Sequence, residues 1–87
     1  MPETRVPLVL PELGMQDVPI FIGQWVVEVG REVSEGDRIL EIVAGSATVD
    51  LPAPASGMLQ ETFVAEDDRI SVGQELGAIM VASGRDE

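Results

Sequence analysis

Few groups in this chain could do chemistry, and their spacing narrows them further. There is no cysteine and no histidine, and the five basic residues are Arg5, Arg31, Arg38, Arg69 and Arg85, so the chain contains no lysine. A thiolate nucleophile, a disulfide and metal sites built on Cys or His are thereby excluded. The segment "EIVAGSATVDLPAPASG", Glu41 to Gly57, holds a hydroxyl of interest: Ser46, in a Gly-Ser pair between two alternating runs. Activated-serine chemistry needs a neighbouring base, and neither His nor Lys exists to supply one. General acid–base work could fall to a carboxylate, yet the run Glu66-Asp67-Asp68 sits in a turn-rich stretch, where a solvated charge run is the default. No spacing resembles a calcium-binding loop. Trp25, Met15, Met58 and Met80 read as packing or loop residues rather than as a ligand platform. An independent enzyme is not expected.

The elements that must position Ser46 read as strands. Apolar residues recur at period two, and turn residues interrupt them every eight to twelve positions, the pattern of an all-β sandwich or flattened barrel of six to eight strands. The expected strands cover residues 6–10, 18–29, 39–44, 47–52, 57–65 and 76–82, with "GREVSEGDR" and "EDDRISVGQE" as loops. Pro7 points to an edge or a strand start, and Gly23 to a bulge or bend. Within 39–52, the pair Gly45-Ser46 suits a two-residue turn of a primed type, glycine taking the first central position. Ala44 then faces Ala47, Val43 faces Thr48, Ile42 faces Val49 and Leu40 faces Leu51. Leu40, Ile42, Ala44, Ala47, Val49 and Leu51 share the core face; Glu41, Val43, Thr48 and Asp50 share the solvated one. Glu41 opposite Asp50 is a like-charge pair, costing about 0.2–1 kcal/mol. Ser46 is left at the protruding tip.

Two stretches are alike: "REVSEGDRILEIV" (31–43) aligns with "DRISVGQELGAIM" (68–80) at an offset of 37 residues, Val33 with Ile70, Gly36 with Gly73, Ile42 with Ile79. Two copies are too few for a solenoid and suit a pseudo-two-fold pair of sheets. Length, at 87 residues, allows one small domain over 1–87, with its core at about 5–82 and a frayed tail at 83–87. Sixteen acidic residues against five basic ones give a net charge of −11. Such a surface repels phosphate backbones and anionic membranes, so no nucleic acid and no membrane surface is expected as a partner. No apolar run reaches the ~18 residues of a membrane span. The first residues do not read as a signal peptide, which points to a cytoplasmic location.

"GDRILEIVAGSATVDLPAPASG" resembles the hairpin of the biotinyl/lipoyl-attachment domains, especially the lipoyl domains of 2-oxo acid dehydrogenase complex acyltransferases. That hairpin typically reads G-x-x-L-x-E-I-E-T-D-K-A-T-V-E-I-P-S-P-x-S-G. Glu41, Ile42, Ala47, Thr48, Val49, Pro52, Pro54, Ser56 and Gly57 match it. "VVEVGREVSEGDRIL" and "VAEDDRISVGQELGAI" look like the family's flanking turns, so the resemblance spans about residues 5–82. It implies a flattened barrel of two four-stranded antiparallel sheets with quasi-two-fold symmetry. The family's cofactor is lipoate, biotin being the less likely one here, joined as an amide to a lysine at the tip.

At that position this sequence has Ser46, and Ala44-Gly45 replaces the preceding Thr-Asp. A hydroxyl can form only an ester, a different and more labile linkage. The expectation is that no cofactor is carried on this chain, although Gly45, Ser46 and Ala47 mark the family's attachment site. Ser46 could also carry a phosphopantetheine arm as carrier-protein serines do, but those serines start helices. Structural lipoyl-like units also occur in efflux adaptors, inserted between coiled-coil segments; a self-contained chain without an expected export signal argues against that reading. Expected instead is a structural or protein-interaction module beside dehydrogenase or acyltransferase components. Its acidic faces around Glu28, Glu32, Glu35, Asp37, Glu41 and Asp50 would serve recognition. The alternative is a carrier domain whose attachment lysine has been replaced by Ser46, natively or by engineering.

Overall fold

The computed structural model describes residues 3–15 and 17–82; the tail expected to fray, 83–87, lies outside them. Eight strands follow one another: β1 (Glu3–Val9), β2 (Ile20–Trp25), β3 (Glu32–Val33), β4 (Arg38–Ala44), β5 (Ala47–Pro52), β6 (Gly57–Thr62), β7 (Arg69–Ile70) and β8 (Glu75–Ala82). They form two four-stranded antiparallel sheets, ordered β1-β8-β6-β3 and β5-β4-β2-β7. Period-two patterning explains the layering. The inward residues Ile20 and Ile22, Leu40 and Ile42, Leu59, and Leu76 and Ile79 are buried in one shared cluster between the sheets. With no tyrosine, one tryptophan and two phenylalanines, aliphatic packing carries that core, each fully buried Leu or Ile contributing about 1.5–3 kcal/mol.

The repeat read in the sequence is a structural repeat. Val26 N–H donates to Ile39 O at 2.9 Å and, 37 positions on, Phe63 N–H donates to Leu76 O at 2.8 Å. Gly30 N–H to Leu59 O (2.8 Å) is matched by Asp67 N–H to Ile22 O (2.9 Å). Even the side-chain caps correspond: Ser34 N–H donates to Asp37 Oδ2, and Ser71 N–H to Gln74 Oε1. The bulge expected at Gly23 lies between Ile22 and Gln24, and its counterpart lies between Leu59 and Glu61. β4 and β8 are thus equivalent central strands, and β5 and β1 equivalent edges.

Some boundaries differ from the sequence expectation, for reasons that lie in distant partners. β1 begins at Glu3 rather than Val6, because Glu3 to Arg5 pair with Ala82 to Met80. The stretch 18–29 is a strand only at Ile20–Trp25; beyond it the Trp25 indole N–H donates to Val64 O and the chain turns. The stretch 57–65 likewise ends as a strand at Thr62. β3 and β7, two residues each, lie inside segments expected to be loops; each is held by backbone pairing to a strand remote in sequence. Trp25 is half-buried, as expected of a strand residue, while Met58 is exposed and Met80 only half-buried.

Two substitutions test this packing. A Cβ on Gly77 would stand 2.6 Å from the Glu61 carbonyl oxygen, and strand backbone cannot move aside cheaply. Gly77→Ala is expected to lower the unfolding free energy by about 1–3 kcal/mol. Ile79→Ala, at a fully buried position, is expected to cost about 2–5 kcal/mol. Urea denaturation followed by tryptophan fluorescence measures both; a loss below about 0.5 kcal/mol in either would contradict the packing described.

Candidate hairpin-tip site

The site is assembled by β4 and β5. Their register is Leu40 with Leu51, Glu41 with Asp50, Ile42 with Val49, Val43 with Thr48 and Ala44 with Ala47, leaving Gly45-Ser46 as the turn. Leu40, Ile42, Ala44 and Leu51 are buried and Ala47 and Val49 half-buried, so burial holds the register. A slip of one residue would turn Glu41 and Asp50 into the core.

Gly45 has φ +62°, and among the described non-glycine residues a positive φ occurs only at Asp17 and Asp67. Positive φ at the first central residue alone is the pattern of a type II′ turn, whose twist suits two strands in register. Space imposes glycine as well: a Cβ at position 45 would lie 2.9 Å from Val18 Cγ1. Gly45 N–H donates to Pro19 O at 3.3 Å, so residues 18 and 19 brace the turn. Sequence reading missed this brace. Val18 and Pro19 were expected to begin a strand, and nothing in their type announces a contact with a turn 27 residues away.

Ser46 is exposed at the tip, with Ala47 half-buried behind it. The first carboxylates down the hairpin, Glu41 and Asp50, are three rungs below the Ala44–Ala47 pair, roughly 10 Å along the strands. That is far outside the ~3 Å that a base needs to take a hydroxyl proton. No concave pocket opens on the described surface, and no group of three or more metal-ligating side chains gathers among the described residues.

The six acidic residues expected on recognition faces are spread over several elements. Glu41 and Asp50 face each other across β4 and β5, where Arg38 Nη1 approaches Asp50 Oδ1 at 3.5 Å and offsets the like-charge pair. That ion pair is exposed, so its net worth is small. Glu32 belongs to β3 of the other sheet. Asp37 uses its carboxylate as a local cap for Ser34 N–H, and Glu35 N–H donates to Ser56 Oγ at 2.8 Å. Ser56, one of the hairpin-motif residues, is therefore a fastener between two turns. Elsewhere, Arg5 lies between Glu61 and Glu75 and 5.8 Å over the Phe63 ring. Hydrogen bonding to Glu75, then to Glu61, raises the Arg5 guanidinium above its usual value.

No helix among the described residues is long and apolar enough to cross a membrane. Over 84 residues the chain is 32% identical to the dihydrolipoyllysine-residue succinyltransferase component of the 2-oxoglutarate dehydrogenase complex of Staphylococcus saprophyticus, covering 97% of this chain and 19% of that protein. The corresponding protein of Bacillus subtilis is 33% identical over 75 residues, 86% of this chain and 18% of its own length. The dihydrolipoyllysine-residue acetyltransferase component of the pyruvate dehydrogenase complex of Corynebacterium glutamicum is 32% identical over 78 residues, 90% of this chain and 11% of its own length. The chain thus spans less than a fifth of the length of these relatives. A family model described as biotin-requiring enzyme matches residues 6–79. With two facing four-stranded sheets and a hairpin in the expected register, the chain belongs to the biotin/lipoyl-attachment domain family.

Proposed function

We propose that this chain is a lipoyl-domain-like module that carries no amide-linked arm and works through protein contacts in an assembly of the 2-oxo acid dehydrogenase or acyltransferase type, in the cytoplasm. The observation that carries the reading is chemical: Ser46 stands at the tip of the hairpin, and no lysine exists anywhere in the 87 residues. Lipoate and biotin are joined to protein through an amide, which requires an amine. The residues present at the tip, Gly45, Ser46 and Ala47, supply a hydroxyl and backbone only. They do not fit the group, and no transfer step is drawn through it. Along the hairpin no base stands beside the hydroxyl, because Glu41 and Asp50 are three rungs away.

What remains is the frame: a rigid hairpin, a braced turn and a strongly acidic surface. Those are the properties of a module recognised by its partners, the favoured class being components of 2-oxo acid dehydrogenase complexes, whose acyltransferase components are among its relatives. The activity of such whole proteins lies beyond a segment of this size.

A second reading has one observation in its favour. The hairpin keeps its full register through Ala44–Ala47, the register that a carrier hairpin needs to hold its tip outward. On that reading Ser46 replaces an attachment lysine.

Intact-mass spectrometry separates the two. Incubated with a lipoate ligase and lipoate, or with a biotin ligase and biotin, the wild-type chain is expected to keep its sequence mass; an adduct on any atom would overturn the non-carrier reading. Ser46→Lys in the same incubation is expected to gain one adduct if the frame is that of a carrier. No gain would remove the second reading.

A further inference from the structure

Each sheet ends in two edge strands, and three of the four edges are protected against pairing with another chain. β3 and β7 are two residues long. β1 is long, but Pro7 stands in its middle. Pro7 sits opposite Ala78 and has no N–H, so its backbone nitrogen blocks the outer edge at no cost to the ladder with β8. β5 is the exception. It runs from Ala47 to Pro52, has β4 as its only strand neighbour among the described residues, and contains no proline before its last position.

The pseudo-two-fold makes the comparison direct. Pro7 opposes Ala78 as Asp50 opposes Glu41, and Ala78 and Glu41 are equivalent residues at the 37-residue offset. The position that carries the protective proline on one edge thus carries Asp50 on the other. The direction of the free groups follows from the turn. A two-residue turn makes Ala44–Ala47 the closing hydrogen-bonded pair, so Val43–Thr48 and Glu41–Asp50 are non-hydrogen-bonded pairs within the hairpin. The N–H and C=O of both Thr48 and Asp50 therefore point away from β4, toward the open edge.

We infer that the outer edge of β5 is a docking site for an extended, basic segment of a partner protein, which adds as a further strand beside Thr48 and Asp50. This goes beyond the reading above by naming a surface and a partner chemistry, and it rests on the interaction half of that reading. Charge selects the occupant. A second copy of this chain would bring another −11 to the contact, whereas a strand with alternating lysine or arginine would set its cations beside the exposed carboxylate of Asp50. Arg38 is no obstacle, since its pairing with Asp50 is solvent-exposed and exchangeable.

The test uses the full chain and, as probe, a short acetylated and amidated peptide of alternating lysine and valine, followed by amide NMR at low ionic strength. Expected are shifts and slowed hydrogen exchange centred on the Thr48 and Asp50 amides. Asp50→Pro reproduces on this edge what Pro7 does on the other, where the fold already accepts it, and is expected to weaken binding by roughly tenfold or more. Asp50→Asn, which removes charge but keeps the N–H, is expected to lose less. Against the wild-type protein, the same peptide N-methylated at the residues that face β5 is expected to bind as weakly as the parent peptide binds the proline variant; this arm stands even if Asp50→Pro does not fold. The inference is overturned if the parent peptide does not bind, if the shifts fall on another surface, if backbone blocking leaves affinity unchanged, or if sedimentation shows two copies already joined through β5. The mass measurement above concerns only the tip, so either proposal can fail without the other.

Discussion

The pairing of β4 with β5 is the constraint on which the site depends. Leu40, Ile42 and Ala44 on one strand and Leu51 on the other are buried in the core, with Val49 and Ala47 half-buried at the same face of the hairpin, and a slip of one residue would undo that. The same register places Gly45-Ser46 in the turn, puts Glu41 beside Asp50 on the solvated face, and aims the free backbone of Thr48 and Asp50 outward. Hydrophobic burial at one end of the chain of causes thus decides which chemical group is displayed at the other. The turn adds a second constraint, because Val18 and Pro19 press on Gly45 from outside the hairpin. A side chain at position 45 is disfavoured by the positive φ, and a Cβ there would force Val18 to shift.

Pseudo-symmetry gives the differences between the halves their meaning. The bulge at Gly23 and its counterpart before Glu61, and the turns at Gly36 and Gly73, repeat because both sheets solve the same closure problem. Gly30 and Asp67 occupy equivalent left-handed positions, and asparate is among the few residues other than glycine that tolerate them. Where the halves diverge, no shared structural need dictates the residue. Arg5, Phe63, Glu61 and Glu75 form an ion-paired cluster on one sheet, whereas the other sheet has Thr48, Val26, Gln24 and Arg38 at the equivalent places. Pro7 against Asp50 is the divergence with the most direct consequence for binding.

Much of the hairpin was legible in the sequence because its information is local: period-two alternation from Leu40 to Leu51 and one Gly-led turn define every cross-strand pair. The repeat was legible for the same reason, since Gly36 and Gly73 punctuate equal strands. The two-residue strands β3 and β7 were not, because Glu32–Val33 and Arg69–Ile70 are strands only by virtue of partners far along the chain. The bracing of the tip by Val18 was equally hidden, as an apolar residue before a proline carries no mark of what it will touch. The places of the acidic residues were not legible either: in the fold they divide between two sheets and several turns, and Asp37 is occupied as a cap.

Proton NMR distances across the hairpin test the central claim most directly. In non-hydrogen-bonded antiparallel pairs the two Cα atoms are about 4.5 Å apart, so their α-protons give strong nuclear Overhauser contacts. Such contacts are expected between Val43 and Thr48 and between Glu41 and Asp50, with Ser46 outside the ladder. Contacts shifted by one residue, such as Ala44 with Thr48, would contradict the register, and with it the display of Ser46 and the orientation of the β5 edge.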